Sequence, residues 1–161
     1  MIGGFTKAKG TEDKLVLKSL GVFTAIYVFA VVLFAVVQAL LDFDMKSADG
    51  IVSLMVAANF AGSYMVNRVK RMPEKEERFK LQIGSLVAAM TVQLLFAYLV
   101  TALLSLAGNS ALADMLGSLP VLWVVGGLLF LSLLYYGLIS WSIGSGAKTA
   151  FKNLPQTEVS G

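Results

Sequence analysis

The chain has 161 residues, of which 57% are hydrophobic and only 14% charged, with a mean hydropathy of +0.78; water-soluble domains carry about 25% charged residues, so a soluble fold is excluded and a single membrane domain indicated. Thirteen Lys and Arg against ten Asp and Glu give a net charge of +3, but the bases lie in short segments beside apolar runs, where they set topology and leave no nucleic-acid footprint. Cysteine and histidine are both absent, which removes disulfides, thiolate chemistry, the commonest general base and the commonest transition-metal ligand.

Residues Met1 to Ser19 are polar, and Gly3, Gly4 and Gly10 predict an irregular amino tail carrying Lys7, Lys9, Lys14 and Lys18. Leu20 to Leu41 then holds no charge; at 1.5 Å per residue it reaches about 33 Å, enough to cross the hydrocarbon core. Its length exceeds that of a secretory signal core and more apolar runs follow, so an uncleaved first span is expected. Asp42 to Gly50 is an acidic turn with one lysine, Lys46, and Asp49 is placed to cap the next helix. Span two, Ile51 to Asn67, is short and holds Ser53, Asn59, Gly62 and Ser63, which suits a helix surrounded by other helices.

Residues 68–80 hold six of the thirteen bases and form a strap between two hairpins. Pro73 is expected at the first position of helix three, with Glu74, Glu76 and Glu77 in its electropositive first turn. The pairs Glu74 with Arg78 and Glu76 with Lys80 have the favourable four-residue spacing. Span three, Leu81 to Ala107, is uncharged but contains Gln82, Thr91, Gln93, Thr101 and Ser105. Gly108-Asn109-Ser110 reads as a helix stop, Ala111 to Leu116 as a short surface helix, and Pro120 as the opening of a fourth span to Ile143. Trp123 and Trp141, about 27 Å apart along that helix, are expected as anchors at the two interfaces. Gly144-Ser145-Gly146 reads as its end, followed by a carboxyl tail, 144–161.

The fold expected is therefore all-α: a polytopic membrane protein whose four transmembrane helices, near 20–41, 51–67, 81–107 and 120–143, form two hairpins and a small helical bundle. The amino tail, strap and carboxyl tail share one side and hold twelve of the thirteen bases; the two turns hold Lys46. The positive-inside rule then places both termini in the cytoplasm, with the cell inner membrane as the location if the source is bacterial.

No span carries a charge, whereas intramembrane charges mark transport and proton relay. A small four-helix multidrug exporter relies on a glutamate in its first span, and Leu20 to Leu41 has none. Asn59 and Gln93 are the sharpest intramembrane polar residues; packing through interhelical hydrogen bonds outweighs a ligand site for them. Ala58 with Gly62, and Gly84 with Ala88, have the spacing that lets helices approach closely, against each other, another helix or a second copy. Arg68, Lys70 and Arg71 form a basic cluster suited to anionic lipid headgroups, although nearby acids make a topology role the stronger reading. Enzymatic proteolysis, thiol oxidation and an aspartyl dyad all lack their residues. A lipid-modifying enzyme would need a phosphate or metal near Asp42, Asp44 or Asp114.

The strap Arg71-Met72-Pro73-Glu74-Lys75-Glu76, ahead of the third span, resembles the Arg-x-Pro-x-x-Glu type strap of a family of small, uncharacterised four-span bacterial inner-membrane proteins. The resemblance implies the same topology over nearly the full chain and brings no functional residues with it. The reading reached is a non-enzymatic integral membrane protein without cofactors, whose partners are the lipid bilayer and a membrane protein or second copy, in an accessory, immunity or envelope-stress role. The alternative is a small transporter or channel subunit with a neutral polar path through Asn59 and Gln93.

Overall fold

Backbone amides in hydrocarbon have no water to bond, so an uncharged run of membrane-spanning length satisfies its own hydrogen bonds as a helix. A computed structural model describes residues 5–41, 48–106 and 120–154 and has this architecture. Its helices are α1 (Phe5–Leu41), α2 (Ala48–Val69), α3 (Lys75–Leu106) and α4 (Val121–Lys152). All four contain a stretch long and apolar enough to cross a membrane, and no strand occurs among the described residues. The chain is an integral membrane protein built as a four-helix bundle.

Several boundaries differ from expectation. First, α1 begins at Phe5, so most of the polar amino segment is helical despite its glycines, and at about 55 Å the helix outreaches the bilayer core. Second, α4 continues through Gly144-Ser145-Gly146 to Lys152; those glycines admit close neighbours instead of ending the helix. Third, α2 begins at Ala48, one residue ahead of Asp49, which places Asp49 inside the first turn. The surface helix expected over Ala111 to Leu116, the stop at Gly108 to Ser110, and Asp42, Asp44 and Asp114 lie outside the described residues.

The helices pack in a ring, α1 on α2, α2 on α4, α4 on α3 and α3 on α1, with the α2–α4 seam the most extensive. Thus α2 and α3 sit on a diagonal. In α2 the residues Leu54, Ala57, Ala58, Ala61, Met65 and Val66 are fully buried, a stripe at three- and four-residue intervals. Opposite them on α4 lie Tyr135, Ile139 and Ile143, and α1 contributes Phe23 and Tyr27 to the same core. The rings of Phe23 and Tyr27 stack at 5.8 Å. A second small cluster, Val66 with Ala147, Ala150 and Leu154, carries the α2–α4 seam beyond Ile143. Outward faces are apolar: Phe29, Leu95, Leu99, Leu122, Phe130 and Leu133 are exposed, a surface suited to lipid and unsuited to water.

Glycine sets the α2–α4 distance from both sides. A Cβ on Gly62 would stand 2.5 Å from the Ile143 carbonyl oxygen, and one on Gly146 would collide with the carbonyl oxygen of Asn59. Each glycine thus rests on a carbonyl three residues before its counterpart. The Ser63 hydroxyl donates to the Gly146 carbonyl at 3.1 Å, fixing the register.

The strap is ordered by a compact set of bonds. Lys70 ends α2 with φ 55°, its amide donating to the Val66 carbonyl at 2.8 Å, the left-handed stop usually left to glycine. Glu77, on the first turn of α3, accepts from the Glu74 amide at 2.8 Å and takes both ends of the Arg71 guanidinium at 2.9 Å. The helix begins at Lys75, so Pro73 precedes the cap instead of occupying the first helical position. Lys80 bridges Glu76 at 3.0 Å and Asp13 of α1 at 2.9 Å, holding the start of α3 and the amino-terminal part of α1 at one end of the bundle.

Candidate functional site

Toward the other end, near the start of α2, three helices converge on one amide. Nε2 of Gln93, on α3, donates to the hydroxyl of Tyr27 on α1 at 3.0 Å and to that of Tyr135 on α4 at 2.6 Å. Gly50, on the first turn of α2, completes the ring: a Cβ there would lie 3.7 Å from that nitrogen and 3.8 Å from the Tyr135 hydroxyl. The Gln93 carbonyl oxygen makes no hydrogen bond to a described residue. A cavity of about 280 Å³ opens on this node, walled by Tyr27, Val31, Gly50, Val92, Gln93 and Phe96.

A second space of about 250 Å³ shares Val31, Val92 and Phe96 with the first and continues along Val28, Val32, Leu95 and Leu99. The side chains of its walls are all hydrocarbon, and Leu95 and Leu99 are exposed. Together the two spaces make a crevice between α1 and α3 that runs from the lipid-facing side of the bundle to a polar end. Small-molecule sites have this character, mostly apolar with a few placed polar groups.

Asn59 belongs to a different layer. Its carboxamide is half-buried and has no hydrogen bond to a described residue; its contribution is the backbone carbonyl under Gly146. Along α2 it lies about 14 Å from Gly50, and Gly146 about 16 Å from Tyr135 along α4. It does not line the cavity at Gln93. Ala58 is buried and Gly62 meets α4, whereas Gly84 meets α1, where its Cβ would be 3.2 Å from the Leu20 side chain, and Ala88 packs on the main core. The two small-residue pairs therefore serve different neighbours and do not meet.

The basic cluster is divided among structural tasks. Arg68 lies 5.5 Å over the Tyr64 ring, Lys70 forms the end of α2, and Arg71 grips Glu77. Trp141 is exposed; Trp123 falls in the first turn of α4, its side chain outside the described residues. Sequence reasoning missed Tyr27 and Tyr135 as partners of Gln93, and Gln82, whose amide donates to the Ser140 hydroxyl at 3.0 Å across the α3–α4 seam. A tyrosine among aliphatic residues at mid-span was the available signal, since its hydroxyl needs a partner there.

No family model, curated protein or solved structure matches the chain.

Proposed function

We propose that this membrane protein works by contact, with lipid or with other membrane proteins, and catalyses no reaction, in an accessory, immunity or envelope-stress capacity. The observation that carries this reading is the α1–α3 crevice, apolar along its length and ending at the Gln93 amide with its two tyrosines. Such a shape takes an uncharged amphiphile or an apolar side chain from the membrane plane, the Gln93 carbonyl receiving a hydroxyl or amide at its tip. The twelve-to-one distribution of bases supports an inner-membrane setting with both termini cytoplasmic. A transporter or channel subunit would need a continuous polar path through Asn59 and Gln93, and the cavity at Gln93 does not reach Asn59.

A photoactivatable residue in place of Leu95, in native membranes, tests the proposal. Adducts with a lipid or a membrane protein are expected. Absence of any adduct, together with solute flux through liposomes containing the purified protein alone, would overturn it in favour of a transporter.

A further inference from the structure

Arg78 does not reach the Glu74 carboxylate four residues earlier, which lies instead 3.7 Å from Arg71. Its guanidinium turns to the backbone of α4, where Nη2 donates to the Ser140 carbonyl at 3.1 Å. A side chain on Gly144 would collide with the same nitrogen, so glycine there makes the room. Nε is buried and has no hydrogen-bond partner among the described residues. With Trp141, Gly144, Ser145 and Lys148, Arg78 walls a cavity of about 230 Å³.

Among the described residues no carboxylate lines this cavity, and neither Arg78 nor Lys148 is ion-paired. The nearby acids are committed elsewhere, Glu77 to Arg71 and Glu76 to Lys80. Two cations around one small concavity repel each other unless an anion sits between them. The donor set, a planar guanidinium, an ammonium and a hydroxyl, matches a compact anion with several acceptor oxygens, as phosphate has.

The position selects the source of that phosphate. Trp141 is exposed on one side of the cavity, and tryptophan rings settle at the level of lipid headgroups. Lys148 is two turns further toward the basic end, about 10 Å along α4. The cavity therefore spans the depth between the apolar face of the bundle and the water beyond it. We propose that it binds the phosphate of an anionic phospholipid, Arg78 and Lys148 supplying the charge, Ser145 a hydroxyl, and Trp141 the wall against the upper part of the acyl chains. This site is at the opposite end of the bundle from the Gln93 crevice and is independent of it.

Native mass spectrometry of the full chain in a neutral detergent, titrated with phosphatidylglycerol, phosphatidylcholine or inorganic phosphate, tests the assignment. Phosphatidylglycerol is expected to bind in preference to phosphatidylcholine, and millimolar inorganic phosphate to leave it in place. Lys148→Gln should weaken phosphatidylglycerol about fivefold, the factor one cation contributes near an anionic membrane surface, and Arg78→Gln at least as much. Lys148 is exposed and makes no hydrogen bond to a described residue, so its variant reads the site without disturbing the fold. Lys152→Gln, one turn further on and outside the cavity, should weaken binding less than Lys148→Gln does. Equal losses from Lys148→Gln and Lys152→Gln would reduce the effect to diffuse charge and overturn the site. So would indifference between the two lipids, or inorganic phosphate binding as tightly as phosphatidylglycerol.

Discussion

Replacing Gly62 with alanine adds one methyl group at one of the two described points where α2 and α4 meet backbone to backbone. That carbon would lie 2.5 Å from the Ile143 carbonyl oxygen and 3.2 Å from both the carbonyl carbon and Cα of the same residue. All three are backbone atoms, so no rotamer change relieves the overlap. Ordinary contact begins at 3.4 Å, which requires the helices to part locally by about 0.9 Å, enough to forfeit a quarter to a half of each dispersion contact along the opened seam. Overpacking of this kind costs about 1–3 kcal/mol. Alanine recovers about 1 kcal/mol through its higher helix propensity, leaving an expected net loss of about 0–2 kcal/mol. Gly137→Ala is the matched control, because nothing lies within 4 Å of its added carbon; it should be neutral or gain up to about 1 kcal/mol. Equilibrium unfolding in mixed micelles with increasing sodium dodecyl sulfate, followed by far-ultraviolet circular dichroism, measures both. If Gly62→Ala proves as stable as Gly137→Ala, the close approach of α2 and α4 is refuted.

Glu77→Gln removes one member of a bidentate pair whose carboxylate is 5% exposed and whose guanidinium is 39% exposed; because Arg71 keeps partial access to water, a loss of about 1–2 kcal/mol is expected. Limited trypsin digestion should then cut faster after Arg71, and an unchanged rate would mean that the pair does not hold the strap. Gln93→Leu deprives two tyrosine hydroxyls of their donor, and with intramembrane hydrogen bonds averaging about 0.6 kcal/mol the expected cost is about 1 kcal/mol. Adding Tyr27→Phe and Tyr135→Phe should not deepen that loss in proportion, as a double-mutant cycle in the same micelle titration would reveal. A carboxyl-terminal alkaline phosphatase fusion should be inactive and a fluorescent protein fusion bright; the reverse pattern would invert the proposed orientation.

The spans were legible because a bilayer imposes a length and a polarity that any sequence must display. What the sequence could not display was which helix each short-range feature would meet. Gly144-Ser145-Gly146 has the composition of a helix stop, yet two of its glycines make room for an arginine from α3 and a carbonyl from α2, and only the neighbouring helices distinguish those uses. Glu74 and Arg78 have the spacing of an ion pair, but Arg78 finds an α4 carbonyl and Glu74 lies beside Arg71, outside the helix. The lysine pair is the counterexample: Glu76 and Lys80 lie on an exposed face with Asp13 nearby, so local spacing and tertiary contact agree. Gln93 stood out as a polar residue at mid-span, but its tyrosines are 66 and 42 residues away in sequence, beyond the reach of any periodicity.

The enclosure of α2 bears on how the chain enters the membrane. In its apolar stretch 44% of residues are buried, against 6 to 11% in the other three helices, and its mean hydropathy of 1.2 is the lowest. Lipid alone holds such a helix weakly; its main neighbour, α4, is synthesised after α3. During biogenesis α2 must therefore wait beside α1, half-committed, until α4 arrives, and a nascent chain stopped before Val121 would present an unfinished groove to the quality-control machinery of the membrane.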